Sequence, residues 1–394
     1  MINVKFRTRS NIMKNQTQQK SQQNTISRRT LLKRAGLGLG AGLGGLSLAH
    51  IIGGQTAQAA EGLAQPELPS TNGGRVVLCE LAGPGRMGTT MLQMGVTHAI
   101  AGMGLRGTVE EQSAQVAKTK ATYEAAGLKI VGVEGAPVGF EKMKLGLDGR
   151  DEEIQNFINA IQALSQNGIK MICYNWMAGL GWTRTNSNLP MRGGATGSEF
   201  DYKAAEAMGD TRYGKVSEEK IWDNMVYFQK AVIPVADKFK VQMALHPDDP
   251  PISPLRGIGR ILTSAANYRK VMGIVPSPYN GVTFCQANFK LMGEDIYALG
   301  KEWCDQKKIF FVHLRDVEGT KEHFQERFHD DCPADLGRCL KIYGSCGYDL
   351  PLRPDHAPMM LGDEGMGSGY GVVGKVLAFG YMKGLMKAQN IAYA

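Results

Sequence analysis

Four side chains in this 394-residue sequence have the donor chemistry of a transition-metal site: His246, Cys285, His313 and Asp355. Imidazole nitrogen, thiolate sulfur and carboxylate oxygen together suit a divalent ion such as Mn²⁺, Fe²⁺, Co²⁺ or Zn²⁺. Each stands at the end of a short apolar run: "VQMALHP" (241–247), "GVTFCQAN" (281–288), "IFFVHLRD" (309–316) and "YDLPLRPDH" (348–356). Taken singly, each has a plainer reading. A cysteine ending a strand is more often a packed hydrophobe, and either histidine could be a hydrogen-bonded core residue. Taken jointly they point to a metal, since no other set of His, Cys and acid falls on run ends in this way. The last run also carries Arg353 and His356. An arginine there can hold a carboxylate in bidentate fashion, and a histidine can transfer protons. Strand alternation would send Asp355 and His356 to opposite sides unless the strand has already ended at Asp355. Around His246, Pro247, Pro250 and Pro251 stiffen the loop. Asp248 and Asp249 either orient ligands or form a solvated turn.

Such residues need elements that bring them together. Eight short apolar runs cross the sequence: 75–81, 97–103, 129–135, 169–176, 241–247, 281–288, 309–316 and 348–356. Helical patterns lie between them, among them 110–126, 151–167, 219–239 and 290–307. Alternation of near-continuous apolar strands with helices implies a parallel sheet covered by helices. Eight such units suit a closed (β/α)₈ TIM barrel, an α/β fold in one domain. No Gly-rich GxGxxG follows the first run, so a dinucleotide fold has little support. In a barrel of this kind the C-terminal strand ends share one mouth. Those ends carry Glu134, Tyr174 with Asn175, His246, Cys285, His313 with Arg315, and Arg353 with Asp355 and His356. The stretch 177–218 reads as one oversized loop after the fourth strand, of the kind that forms a lid.

The bulk charge misleads until it is located. Net charge is +8, but residues 1–59 carry nine basic residues and no acid. The remaining 36 basic and 37 acidic side chains sum to −1. The body therefore has no electrostatic claim on nucleic acid. Within the basic segment, "SRRTLLKRAGLGLGAGLGGLSLA" places Arg28 and Arg29 before a Gly- and Ala-rich run, and "AQA" follows at 57–59. This resembles a twin-arginine export signal. The competing reading is a membrane anchor, but the run is only about eighteen residues and rich in glycine. The expected organisation is a signal peptide over 1–59, a flexible lead-in over 60–74 and a catalytic barrel over 75–394. The protein would be exported to the periplasm, with no stable membrane association after cleavage. Seven cysteines without a CxxC pair predict no obligatory disulfide, and Cys332, Cys339 and Cys346 read as small buried hydrophobes.

Longer motifs carry a family resemblance. "VEGAPVGFEKMKLGLDGRDEEIQNF", "ICYNWM", "WTRT", "ALHPDDPP", "TFCQAN", "FVHLRDV", "RPDHAPMM" and "GYMKGL" resemble, in order, the motifs of mannonate dehydratases, over roughly residues 125–390. The resemblance implies a (β/α)₈ barrel that uses Mn²⁺ or Fe²⁺. Such an enzyme removes water from D-mannonate to give 2-dehydro-3-deoxy-D-gluconate in hexuronate catabolism. It places the metal ligands on His246, Cys285, His313 and Asp355. It places the catalytic neighbourhood on Arg353, His356 and Tyr370, the last in "GSGYG", and a loop over the substrate on Trp182 and Arg184. Asn175 and Arg315 complete the expected substrate contacts, and the resemblance suggests a homodimer. The first two runs depart from the family's opening, and an export signal is unusual for this pathway. Two other readings compete: a xylose-isomerase-like isomerase or epimerase, and an exported sugar-acid binding protein. Isomerases of that type rely mainly on Glu and Asp ligands, which the cysteine and "RPDH" argue against.

Overall fold

The computed structural model describes residues 74–394. The twin-arginine stretch, the AQA motif and the lead-in to residue 73 lie outside the described residues. Twelve strands follow in chain order: β1 Val76–Leu81, β2 His98–Ala101, β3 Lys129–Glu134, β4 Met171–Asn175, β5 Asn186–Pro190, β6 Thr196–Asp201, β7 Gln242–His246, β8 Asn280–Cys285, β9 Ile309–His313, β10 Val317–Thr320, β11 His323–Glu326 and β12 Leu350–Arg353. Eight of them close into a parallel barrel in the order β1-β2-β3-β4-β7-β8-β9-β12, and β12 pairs back onto β1. These are the eight apolar runs of the sequence. A barrel strand is covered by helices outside and by side chains inside, so it needs apolar residues on both faces. In β9 every residue of "IFFVH" is buried. Cys79, Ile100, Met171, Cys173, Ala244, Phe310 and Phe311 come from five strands and form one cluster, which fills the barrel's interior. A larger cluster packs the other strand faces against the helices.

Helices Val109–Ala125, Arg150–Gln166 and Glu218–Phe239 stand where the sequence predicts them. The first opens on a capping box in which Thr108 and Glu111 satisfy each other's backbone N–H groups. The pattern over 290–307 is instead two helices, Gln286–Leu291 and Ile296–Asp305. Gly293, with φ of 86°, breaks the chain between them, and the Asp295 side chain caps the second.

Two expectations are corrected. Residues 177–218 are not one open loop. They contain β5, β6 and helix Tyr202–Ala207, and β5 and β6 join β10 and β11 in a four-stranded antiparallel sheet ordered β10-β11-β6-β5. Cys304 and Cys346 form a disulfide between helix Ile296–Asp305 and the segment after helix Leu336–Gly344, where no bridge was expected. Cys339 is a buried hydrophobe and Cys332 is half-buried. Among the described residues no helix is long and apolar enough to cross a membrane.

Candidate active site

The strand ends converge as a barrel requires. A cavity of about 250 Å³ opens there, lined by Glu134 of β3, Asn175 of β4, His246 of β7, His313 of β9 and Arg353 of β12. Trp182, Asp249, Asp355, His356 and Tyr370 complete much of its wall.

His246, Cys285 and His313 each offer a ligand atom, all within 4.8 Å of one another. Asp355 joins them: its Oδ2 lies 3.9 Å from Cys285 Sγ and 3.6 Å from His313 Nδ1. The His246 Nδ1–H donates to the Pro247 carbonyl at 2.8 Å, which leaves Nε2 with its lone pair. Burial lowers the His246 pKa against the pull of Asp355, Asp249 and Glu134, which keeps the ring a neutral donor. His313 Nδ1 is buried and has no hydrogen-bond partner. With the ring proton on Nε2, which lies 3.6 Å from Glu134 Oε2, this orphaned nitrogen among a thiol, a second imidazole and a carboxylate fits a divalent transition metal. A second grouping, Glu134, Cys173 and His313, does not. The Arg353 guanidinium already sits there, with Nη2 2.7 Å from Glu134 Oε1 and Nε 3.1 Å from His313 Nε2. The Cys173 thiol accepts from Thr283 Oγ1, and burial pushes its pKa well up.

Beside the donor set runs a hydrogen-bonded chain from Glu326 through His356 to Tyr370. β12 ends at Arg353, and Asp355 takes a left-handed φ of 58°. The strand has therefore ended, and Asp355 and His356 both face the cavity. His356 Nε2 is 3.1 Å from the Tyr370 hydroxyl, and Nδ1 is 3.2 Å from Glu326 Oε1. The Trp182 ring packs 5.0 Å from the His356 ring, and Trp182 Nε1 has no hydrogen-bond partner. Burial and the nearby Asp355 carboxylate push the Tyr370 phenol well above its ordinary value.

Behind both lies a continuous chain of buried ion pairs. Arg184 pairs with Asp249 at 2.5 Å and with Glu326 at 2.6 Å. Arg315 pairs with Asp249, Glu326 and Asp355 at 2.5, 3.1 and 2.5 Å. Arg353 pairs with Asp355, Glu134 and Glu80 at 2.7, 2.7 and 3.3 Å. Burial alone would raise these carboxyls, but the guanidinium groups more than offset it. Glu326 is held at about 2 by Arg315, Arg184 and His356, and Glu134 at about 2 by Arg353 and His313.

This network changes three expected roles. Arg184 and Arg315 do not line the cavity; both terminal nitrogens of Arg184 and all three guanidinium nitrogens of Arg315 meet carboxylates behind its wall. Arg353 lines it, yet its donors already face His313, Glu80, Glu134 and Asp355, so no free edge remains for a bidentate substrate carboxylate. Asp248 and Asp249 are fully buried, not part of a solvated turn: Asp248 accepts from the Leu262 N–H and faces Arg260. Asn175 lines the cavity, and its Oδ1 accepts from Lys144 Nζ at 3.0 Å. Sequence reasoning gave no role to Glu80, Glu134, Glu326 or Lys375. Glu80 and Lys375 did carry a signal, each being a lone charge inside an apolar stretch.

Comparison with known proteins agrees with this geometry. The family model D-mannonate dehydratase (UxuA) matches residues 93–212 and 209–393. A mannonate dehydratase of Thermotoga petrophila is 32% identical over 309 residues, covering 70% of this chain and 85% of its own length. Mannonate dehydratase 2 of Halalkalibacterium halodurans is 30% identical, covering 75% of this chain and 92% of its own. The crystal structure of mannonate dehydratase from Streptococcus suis serotype 2 superposes with a TM-score of 0.71 at 27% identity, over 81% of this chain and 96% of that one. With the family match running from residue 93 nearly to the C-terminus, on a barrel whose mouth gathers the expected donors, the chain belongs to the mannonate dehydratase family of hydro-lyases.

Proposed function

We propose that this protein is a metal-dependent dehydratase that removes water from D-mannonate, or a closely related sugar acid, to give 2-dehydro-3-deoxy-D-gluconate. The observation that carries the reading is that His246, His313 and Asp355, with Cys285 buried behind them, share one cavity wall with His356 and Tyr370, and that Glu326 backs His356. Family membership supports a sugar-acid dehydratase, and the donor set supports a divalent ion, with Mn²⁺ or Fe²⁺ as our assignment.

A divalent ion held by these four residues supplies Lewis acidity to a substrate's carboxylate or C2 hydroxyl. The chain's own side chains then move the protons. Glu326 fixes the His356 ring through Nδ1, so Nε2 faces the cavity and takes the C2 proton. Tyr370, whose phenol burial keeps protonated, donates to the departing C3 hydroxyl, which leaves as water. The C2–H and C3–O bonds break, the C2–C3 enol forms, and its ketonisation gives the 2-keto-3-deoxy acid. Trp182 covers His356 and, with its free N–H, is placed to donate to a substrate oxygen.

Metal-loaded protein incubated with a panel of aldonic and uronic acids tests the reading by product identity. A 2-keto-3-deoxy acid from D-mannonate is expected. An isomerised sugar acid would favour the isomerase reading, and binding without product a binding protein. Full activity after exhaustive chelation would overturn metal dependence. We also propose export through the twin-arginine route, on the strength of Arg28, Arg29 and the AQA motif. Cell fractionation of a doubled Arg→Lys variant checks it, retention in the cytoplasm being expected.

A further inference from the structure

Lys375 is buried in the first turn of helix Val372–Ala388, within the apolar stretch from Val372 to Phe379. A buried ammonium is costly unless it is paired and hydrogen-bonded. Its Nζ donates to the backbone carbonyl of Asp355 and lies 3.0 Å from Glu80 Oε2. Glu80 comes from β1 and is itself fully buried. That strand precedes residue 93, where the family match begins.

The target of this contact is unusual. Asp355 has φ of 58°, a conformation that residues other than glycine seldom adopt. It is held there by its neighbours. The Arg353 carbonyl accepts from the Leu314 N–H, the Pro354 carbonyl from His329 Nε2 and the Asp355 carbonyl from Lys375. The last two are side-chain contacts, and only Lys375 bears on Asp355 itself.

We propose that Lys375, oriented by Glu80, is a positioning residue that fixes the Asp355 backbone so that its carboxylate meets Cys285 and His313. The inference rests on reading the donor set as a metal site. Glu80 acts twice: Oε2 holds Lys375, while Oε1 accepts from Arg353, which in turn pairs with the Asp355 carboxylate. Backbone and side chain of Asp355 are thus both tied to β1, across the seam where β12 closes onto β1.

The test measures Mn²⁺ affinity by chelator competition on folded apoprotein. Wild type is compared with Lys375→Met, with the charge-neutral pair Lys375→Met/Glu80→Gln, and with Leu340→Ala as a control that thins the outer core. Lys375→Met alone strands the Glu80 charge and is prone to misfold; the double variant removes both charges and keeps an acceptor for Arg353. The double variant is expected to unfold cooperatively but to bind Mn²⁺ about 10- to 100-fold more weakly, with kcat falling more than KM changes. The control is expected to keep wild-type affinity. Wild-type affinity in the folded double variant overturns the proposal. So does failure of both variants to fold, which would make Lys375 purely structural. Absence of Mn²⁺ binding by wild type removes the metal reading itself, a distinct result.

Discussion

Glu326→Gln is the substitution that most directly separates charge from shape in the relay. Its Oε1 receives Arg184 Nη2 at 2.6 Å and Arg315 Nη1 at 3.1 Å, and lies 3.2 Å from His356 Nδ1; its Oε2 receives Arg315 Nη1 at 3.2 Å. A glutamine carbonyl in the Oε1 position keeps an acceptor for His356 and Arg184. The amide nitrogen then faces Arg315 as donor against donor. Two buried guanidinium groups lose a counter-charge, and breaking such a pair costs about 3–5 kcal/mol. The His356 ring keeps its orientation but loses the negative charge that stabilises it when it takes the C2 proton. General acid–base catalysis contributes about 10²- to 10⁴-fold in all, and loss of an orienting partner outside the reacting groups about 10- to 100-fold. The expected result is kcat reduced by roughly 10- to 100-fold with KM little changed, and a lower urea midpoint. Glu326→Ala, which also frees the ring, should fall further. The assay is the initial rate of 2-keto-3-deoxy acid formation by metal-loaded enzyme. A Glu326→Gln enzyme within twofold of wild type in kcat would refute the relay.

Other outcomes follow from the same geometry. Cys285→Ser replaces the thiolate donor with a hydroxyl that stays protonated; manganese content per protein should fall, and with it activity, while full content and activity would remove Cys285 from the ligand set. Tyr370→Phe keeps the ring against His356 but deletes the proton, so kcat should fall about 10²-fold or more without loss of bound metal. The Glu134 and Glu326 carboxyls, held at about 2 in the native protein, titrate below their unfolded value. Both therefore contribute stability in full above about pH 4.5, and lose it as pH falls towards 2, by about 3 kcal/mol each at most. Urea midpoints should drop across that window, and Glu134→Gln should flatten the drop. The Lys144 ammonium is lowered too, by burial that Glu141 and Asp248 only partly offset, to about 7. The unfolded chain then binds more protons between pH 7 and about 10.4, so stability should rise with pH there, a slope that Lys144→Met should remove.

The barrel was legible because its physics is written locally. A strand buried on both faces must be apolar throughout, and runs such as "IFFVH" show it without reference to any neighbour. The donors were legible because His, Cys and Asp at the ends of such runs have no packing reason to recur together. The cover sheet was not legible. β5 is "NSNLP", with no buried residue, and β6 pairs with β11 more than a hundred residues away. Neither alternation nor turn chemistry announces that pairing. Glu326 was missed for the same reason. Its function lies in Arg184, Arg315 and His356, which reach it from other elements. Arg184 was given to the substrate by the family resemblance of WTRT, and Arg315 was expected beside it; only the fold shows that the carboxylates they meet belong to the protein.

That distinction bears on why so much charge is buried beside one small cavity. The ion pairs join Arg184, Arg315, Arg353 and Lys375 to Glu80, Glu134, Asp249, Glu326 and Asp355 in an unbroken chain. Counting only the arginines, the lysine and the carboxylates, and leaving aside His313 and His356, that is four cations against five carboxylates, one negative charge in excess. A metal-bound Cys285 would add a second as its thiolate. A low-dielectric site cannot carry two uncompensated charges cheaply. On the proposed function, a divalent cation would offset that excess while leaving every arginine paired. The arginines serve as fixed counter-charges that hold the carboxylates in place. The same saturation leaves Arg353 no free edge for a substrate carboxylate, so on the proposed function recognition of an acidic substrate would fall to the ion and to the unpartnered Trp182 N–H.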